Sequence, residues 1–185
     1  LLKRWNDEKE IEGWEVGPDK YRKLSIADKE SLLTEIAARK FENPKNFVLF
    51  EQKELAEQIS QQLQLGNTQE GLAVLRAIEA QHGLLIERAD ELWTFSHLTF
   101  QEYFTVQWLT HLPAQQLAEK IASQKIDNKK WQITLRQLVK SQQPADRLLC
   151  LIKKAIDQLI AQEPVIQTFL GWLVQKSNSI PSNYA

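Results

Sequence analysis

The chain has no methionine, one cysteine, six glycines and almost no excess charge of either sign. Its 23 Lys plus Arg stand against 24 Asp plus Glu, and a net charge of -1 supplies no long-range attraction for a phosphate backbone or an anionic lipid surface. Cys150 has no second cysteine to pair with. Its setting, Leu148-Leu149-Cys150-Leu151-Ile152, reads as that of a small buried hydrophobe in a reducing, cytoplasmic compartment. No window approaches the ~20 apolar residues that a membrane helix needs. The opening Leu1-Leu2-Lys3-Arg4-Trp5 lacks the apolar stretch and cleavage site of a secretory signal. Without methionine, residue 1 is not a translation start, and the chain is expected to be a piece of a larger product.

Catalytic machinery is also missing. A phosphate-binding loop needs clustered glycines, so that backbone N–H groups can approach the anion, and a lysine to meet its charge. The glycines stand at 13, 17, 66, 71, 83 and 171 and never form that pattern. His82, His97 and His111 are too far apart in sequence to read as a zinc site, and one cysteine cannot complete it. Carboxylate pairs such as Glu54 and Glu57 fall at i, i+3 on a helix surface, which describes a solvated face rather than acid-base chemistry. No catalytic residue and no metal ligand is expected, and the piece itself is not expected to be an enzyme.

What is present is a 43% apolar composition, enough to build a packed core. Residues 1–24 read as the end of a helix followed by a charged connector with Gly13, Gly17 and Pro18. Ser25 with Asp28 forms a capping box, and Leu32, Leu33, Ile36 and Ala37 give a helix over about 26–40 its apolar stripe. Asn43-Pro44 breaks it, and Phe47-Val48-Leu49-Phe50 predicts a brief strand. Leu55, Ile59, Leu63 and Leu65 mark a second helix, stopped by Gly66-Asn67. Asn67 with Glu70 caps a third, carrying Leu72, Leu75 and Ile78 and closed by Gly83. Leu84-Leu85-Ile86 and Leu92-Trp93-Thr94-Phe95, separated by the polar turn 87–91, predict a hairpin. Three helices, a short strand and a closing hairpin are the ordered parts of a winged helix.

After the hairpin the chain turns wholly helical. Thr99 and Glu102 offer another capping box, with Leu98 and Tyr103 as a hydrophobic staple, for a helix ending near His111 before Pro113. Further helices are expected at about 114–123, 128–142, 145–162 and 164–176, with Pro144 and Pro164 in first-turn positions. Leu148, Leu151, Ile152, Ala155, Ile156, Leu159 and Ile160 predict a wide buried face. The expected organisation is therefore mainly α: a connector over 1–24, a winged-helix domain with its closing helix over 25–112, a helical bundle over 113–177, and a loose tail over 178–185.

The stretch Phe95-Ser96-His97-Leu98-Thr99-Phe100-Gln101-Glu102-Tyr103-Phe104 resembles the signature that closes the winged helix of NACHT-family STAND NTPases, which are signal-transducing ATPases. Leu32-Leu33-Thr34-Glu35-Ile36-Ala37 and Ile78-Glu79-Ala80-Gln81-His82-Gly83-Leu84-Leu85 look like the same family. Phe169-Leu170-Gly171-Trp172-Leu173 with Gln175-Lys176-Ser177 is similar to the trailing helical domain of its cyanobacterial members. The resemblance implies an upstream NACHT ATPase module, partnered in cis, that binds ADP or ATP with Mg, while the winged helix folds over it as a latch. A homo-oligomer of the parent and a role in bacterial defence or signalling are family expectations. In relatives a histidine at the position of His97 reaches the phosphates of bound ADP and holds the inactive state closed. Local physics permits that, because a capped helix start favours an anion and a charge-assisted hydrogen bond contributes about 1.5–3 kcal/mol. The plain alternative for His97 is a cap or a satisfied core group; Phe95, Phe100, Tyr103, Phe104 and Trp108 read as core.

Two other functions compete. A winged helix can read DNA with its third helix in the major groove and a basic wing on the backbone. Here that helix, about 68–82, offers Arg76 against Glu70 and Glu79, and the wing sets Arg88 beside Glu87, Asp90 and Glu91. Nucleic acid is therefore not expected as a partner. Alternatively, the region after 113 is a helical scaffold that docks a protein through Trp131, Phe169 and Trp172, although core packing is the more economical use of these residues.

Overall fold

The computed structural model describes residues 17–43, 46–123, 129–142 and 144–179. The expected upstream helix end, the part of the connector containing Gly13 and the last six residues of the tail lie outside them. The chain divides into two compact units, residues 1–109 and 110–185.

In the first unit, α1 (Asp19–Arg22) is one turn of helix inside the segment expected to be a connector. Its Tyr21 is only 1% exposed and belongs to the core, so the packed domain starts earlier than the charge pattern implied. Burial pushes the Tyr21 phenol well above its ordinary value. Helix α2 (Ile26–Phe41) begins with the expected box: Ser25 Oγ accepts from the Asp28 N–H at 3.1 Å, and Asp28 Oδ2 accepts from the Ser25 N–H at 3.2 Å. It buries Leu32, Leu33, Ile36 and Ala37.

Strand β1 (Phe50–Glu51) is shorter and later than Phe47–Phe50. The side chain of Asn43 accepts from the Asn46 N–H and that of Asn46 accepts from the Leu49 N–H, so local side-chain bonds hold this stretch in turns. Helix α3 (Gln52–Gln62) likewise stops before Gly66, because the chain turns at Gln64 with φ +51°. Helix α4 (Thr68–His82) has the expected ends, with Asn67 Oδ1 accepting from the Glu70 N–H at 2.9 Å and Gly83 in the left-handed region at φ +57°.

Helices α3 and α4 cross closely at Gly71. A Cβ there would run into the carbonyl of Ala56 and stand 2.5 Å from Ser60 Oγ, so only glycine fits. The hairpin follows as β2 (Leu85–Ala89) and β3 (Leu92–Phe95), with a shorter turn than 87–91. The sheet is antiparallel in the order β1-β3-β2. Its inner face, with Trp93, Leu85 and Phe95, closes over Ile36, Ile59, Leu75 and Ile78 in one core.

Helix α5 (Leu98–Thr110) then leaves the hairpin. It begins at Leu98, so Thr99 sits inside the first turn and does not cap it. Leu98 and Tyr103 are both exposed, which removes the expected staple, and Glu102 is buried.

The second unit contains α6 (Ala114–Ser123), α7 (Lys129–Ser141), α8 (Asp146–Gln162) and α9 (Pro164–Ser179). Pro164 opens α9 as expected, whereas Pro144 precedes the N-cap of α8, Ala145. Helix α6 packs along α8, burying Leu117, Ala118 and Ile121 on one and Leu148, Ile152 and Ala155 on the other. That stripe is narrower than expected: Leu151, Ile156 and Ile160 are half-buried and Leu159 is exposed. So is Cys150, which lies about half a turn round the helix from Leu148 and is not a buried hydrophobe. On α7, Trp131 and Leu138 are core residues. By contrast α9 buries nothing, and Phe169 and Trp172 stack on one another with about half of each side chain exposed. Helix α9 also runs to Ser179, past the expected end at 176.

Candidate functional site

The site expected at His97 lies where the hairpin becomes a helix. Phe95, the last residue of β3, is buried, with its ring 5.9 Å from that of Phe50 and 6.0 Å from that of Phe104 on α5. These contacts tie β3 to the helix that follows, and the chain between them has to bend. The Ser96 N–H donates to the Leu84 carbonyl at 2.8 Å, the last rung of the hairpin. The His97 carbonyl accepts from the Phe100 N–H at 3.0 Å, the first bond of α5. His97 is thus held by backbone bonds just before and just after it.

Its side chain is exposed. The imidazole rests edge-on against the Phe100 ring, 5.7 Å between centroids, and stays outside the core. An external acceptor can reach it there, beside the N-terminal turn of a 13-residue helix, where the backbone dipole favours negative charge. The exposed Arg88 adds a cation at the bend, its Nη2 donating to the Ser96 carbonyl at 3.0 Å. The exposed imidazole of His97 and the bond from Arg88 thus meet at one bend, at the start of α5.

Helix α5 is positioned by groups that the sequence did not single out. Gln101, 1% exposed, donates from Nε2 to the Phe47 carbonyl at 2.6 Å, pinning the first turn of α5 to the loop before β1. Its own carbonyl accepts from Thr105 Oγ1 at 2.8 Å. Only the polarity of Gln101 amid Phe100, Tyr103 and Phe104 hinted at a buried amide with a partner. Of the aromatics expected in the core, Phe95 and Phe104 are there and Phe100 packs partly against it. Tyr103 is exposed, and Trp108 lines an open cleft of about 480 Å³ between α2, α3 and α5, facing Arg39, Gln58 and Gln62. Neither His97 nor Arg88 lines that cleft.

The face that would read DNA is occupied by its own ion pairs. Arg76 Nη1 donates to Glu87 Oε2 at 2.6 Å and to Glu79 Oε2 at 3.4 Å, while the guanidinium lies over the Trp93 ring at 4.8 Å. Arg76 Nη2 and Trp93 Nε1 both donate to Gln52 Oε1, at 3.3 and 3.2 Å. Glu79 Oε1 accepts from the Glu87 N–H at 3.0 Å. The Arg76 hydrogen bond holds the Glu87 carboxyl below the ordinary carboxylate range, and the same bond raises Arg76. The one basic residue that the sequence offered on this helix is therefore spent within the domain, clamping α4 to the hairpin.

Helices α2, α3 and α4 with a three-stranded sheet whose last two strands form a hairpin make the first unit a winged helix. Residues 1–109, the same span as that unit, match the family described as the winged helix-turn-helix domain C-terminal to NACHT. The match covers more than half of the 185 residues, and the chain belongs to that family. No curated protein and no solved structure matches the chain. Domains of this family are described as lying C-terminal to NACHT, and membership fits the chain to a NACHT-associated regulatory segment. No helix among the described residues is long and apolar enough to cross a membrane.

Proposed function

We propose that this chain is the nucleotide-state-sensing latch of a NACHT-type signalling ATPase, and that His97 is the residue by which it senses bound ADP. The observation that carries the reading is the placement of His97: fixed by backbone bonds on both sides, yet with its imidazole outside the core. A residue there can donate to a phosphate oxygen held by another module. ADP or ATP, with Mg, would be bound by the upstream module, whose phosphate loop has no counterpart among the glycines of this chain. Only the difference in contact between closed and open states shifts the latch, so one charge-assisted hydrogen bond is enough to bias it without supplying all of its stability. A cytoplasmic setting and a role in bacterial signalling or defence belong to this proposal as family expectations, as does a homo-oligomer of the parent.

The test is His97→Leu in the full-length protein containing this chain. ADP should dissociate faster, by about tenfold or more for a bond of ~1.5 kcal/mol or greater, and basal signalling should rise. If both stayed at wild-type values, His97 would not be a sensor. By itself the chain should show no micromolar ADP binding in calorimetry. A second reading, a helical scaffold that docks a partner protein, is favoured by one observation, the apolar and wholly exposed α9.

A further inference from the structure

Arg88 is the residue at which the β2–β3 ladder slips. Glu87 faces Trp93 and Ala89 faces Leu92, so Arg88 has no partner across the hairpin. An extra residue of this kind bends the strand and re-aims its side chain. The neighbouring carboxylate does not claim the guanidinium, because Glu87 already accepts from Arg76 at 2.6 Å and from the Glu91 N–H at 3.1 Å. Arg88 instead reaches back along the hairpin and donates to the Ser96 carbonyl. That carbonyl belongs to the peptide joining Ser96 to His97. Holding it from Arg88, while the Ser96 N–H is held by Leu84, limits rotation on the N-terminal side of His97. The Phe100 N–H limits it on the other.

We infer that Arg88 is the positioning residue of His97, keeping the Ser96–His97 bend in the orientation that presents the imidazole outward. The inference rests on the reading of His97 as the phosphate sensor. Without this tie the bend samples more orientations, only a fraction of them present the ring, and apparent affinity falls by that fraction. Arg88→Ala should therefore speed ADP release from the full-length protein by about fivefold, the factor matching a restraint of ~1 kcal/mol. Arg88→Lys, which can still donate to the carbonyl, should recover part of the loss.

Two measurements decide it. In NMR spectra of this chain, Arg88→Ala should weaken the contacts between His97 and Phe100 ring protons and increase fast motion of the Ser96, His97 and Leu98 amides, with the Leu85–Phe95 pairing intact. Unchanged ring contacts and amide motion would overturn the inference. In full-length protein, Arg88→Ala should have no further effect on ADP release once His97 is Leu. The same fivefold effect in that background would show that Arg88 acts independently of His97 and would also overturn it. If His97→Leu alone left ADP release unchanged, the sensor reading and the functional half of this inference would fall together, a result distinct from either of the others.

Discussion

Replacing Gly71 with alanine sets two known effects against each other. In a helix interior the substitution is ordinarily favourable by about 1 kcal/mol, because glycine loses more backbone entropy on folding. At this position, however, the new methyl would meet the Ala56 carbonyl, which is backbone and cannot swing away, and Ser60 Oγ. Ser60 is itself committed, donating to the Asn67 carbonyl at 2.7 Å. Overpacking of this kind costs about 1–3 kcal/mol, and a clash with helix backbone belongs at the upper end, so a net loss of about 2 kcal/mol is expected. Urea unfolding of the whole chain followed by circular dichroism would read this as a lower midpoint at unchanged slope. Because α4 carries Arg76 and Glu79, which clamp the hairpin, the displacement should also reach the bend, and faster ADP release from the full-length protein should accompany it. A Gly71→Ala chain as stable as the wild type, or more so, would refute the crossing geometry.

Ser25→Ala should lower stability by about 1 kcal/mol through loss of the α2 cap, measurable in the same unfolding experiment; no change would mean that the box is not formed. The carboxyl of Glu87, held low by Arg76, contributes stability that is present above the ordinary carboxylate range and lost as the pH falls through its lowered value. The stability difference between wild type and Glu87→Gln should accordingly be greatest near neutral pH and vanish in acid, and a pH-independent difference would exclude the ion pair as its source. Phe169→Ser and Trp172→Ser on α9 should leave the unfolding free energy within about 0.5 kcal/mol of wild type while lowering the binding of an apolar dye; a large loss of stability would place those rings in a core.

Features encoded locally were legible in the sequence. Ser25 with Asp28, Asn67 with Glu70, and Gly83 each act within a few residues, so their types and spacing are sufficient to place both ends of α4 and the start of α2. The features that went astray are those decided by distant groups. Thr99 carries every local mark of a cap, yet α5 starts two residues earlier than that cap implies, because the Ser96 N–H is already committed to Leu84 and Phe95 is locked between Phe50 and Phe104. Tyr21 reads as part of a charged connector until the core that accepts its ring is in place. Cys150 sits in an apolar run, but α8 buries only the side that meets α6. At the candidate site, the position of His97 was legible from the surrounding signature. The bond from Arg88 to Ser96 was not, since it depends on a slip in strand register that no residue type announces.

The order β1-β3-β2 leaves β2 on the margin of the sheet, where a bare strand would invite another polypeptide to zip onto it. Here the Glu79 carboxylate caps one outward amide, that of Glu87, and the slip at Arg88 spoils the straight register that a newcomer would need. Acidic side chains crowd the tip at Asp90 and Glu91. Main-chain recruitment of a neighbour is therefore opposed at the wing, and recognition there is left chiefly to side chains.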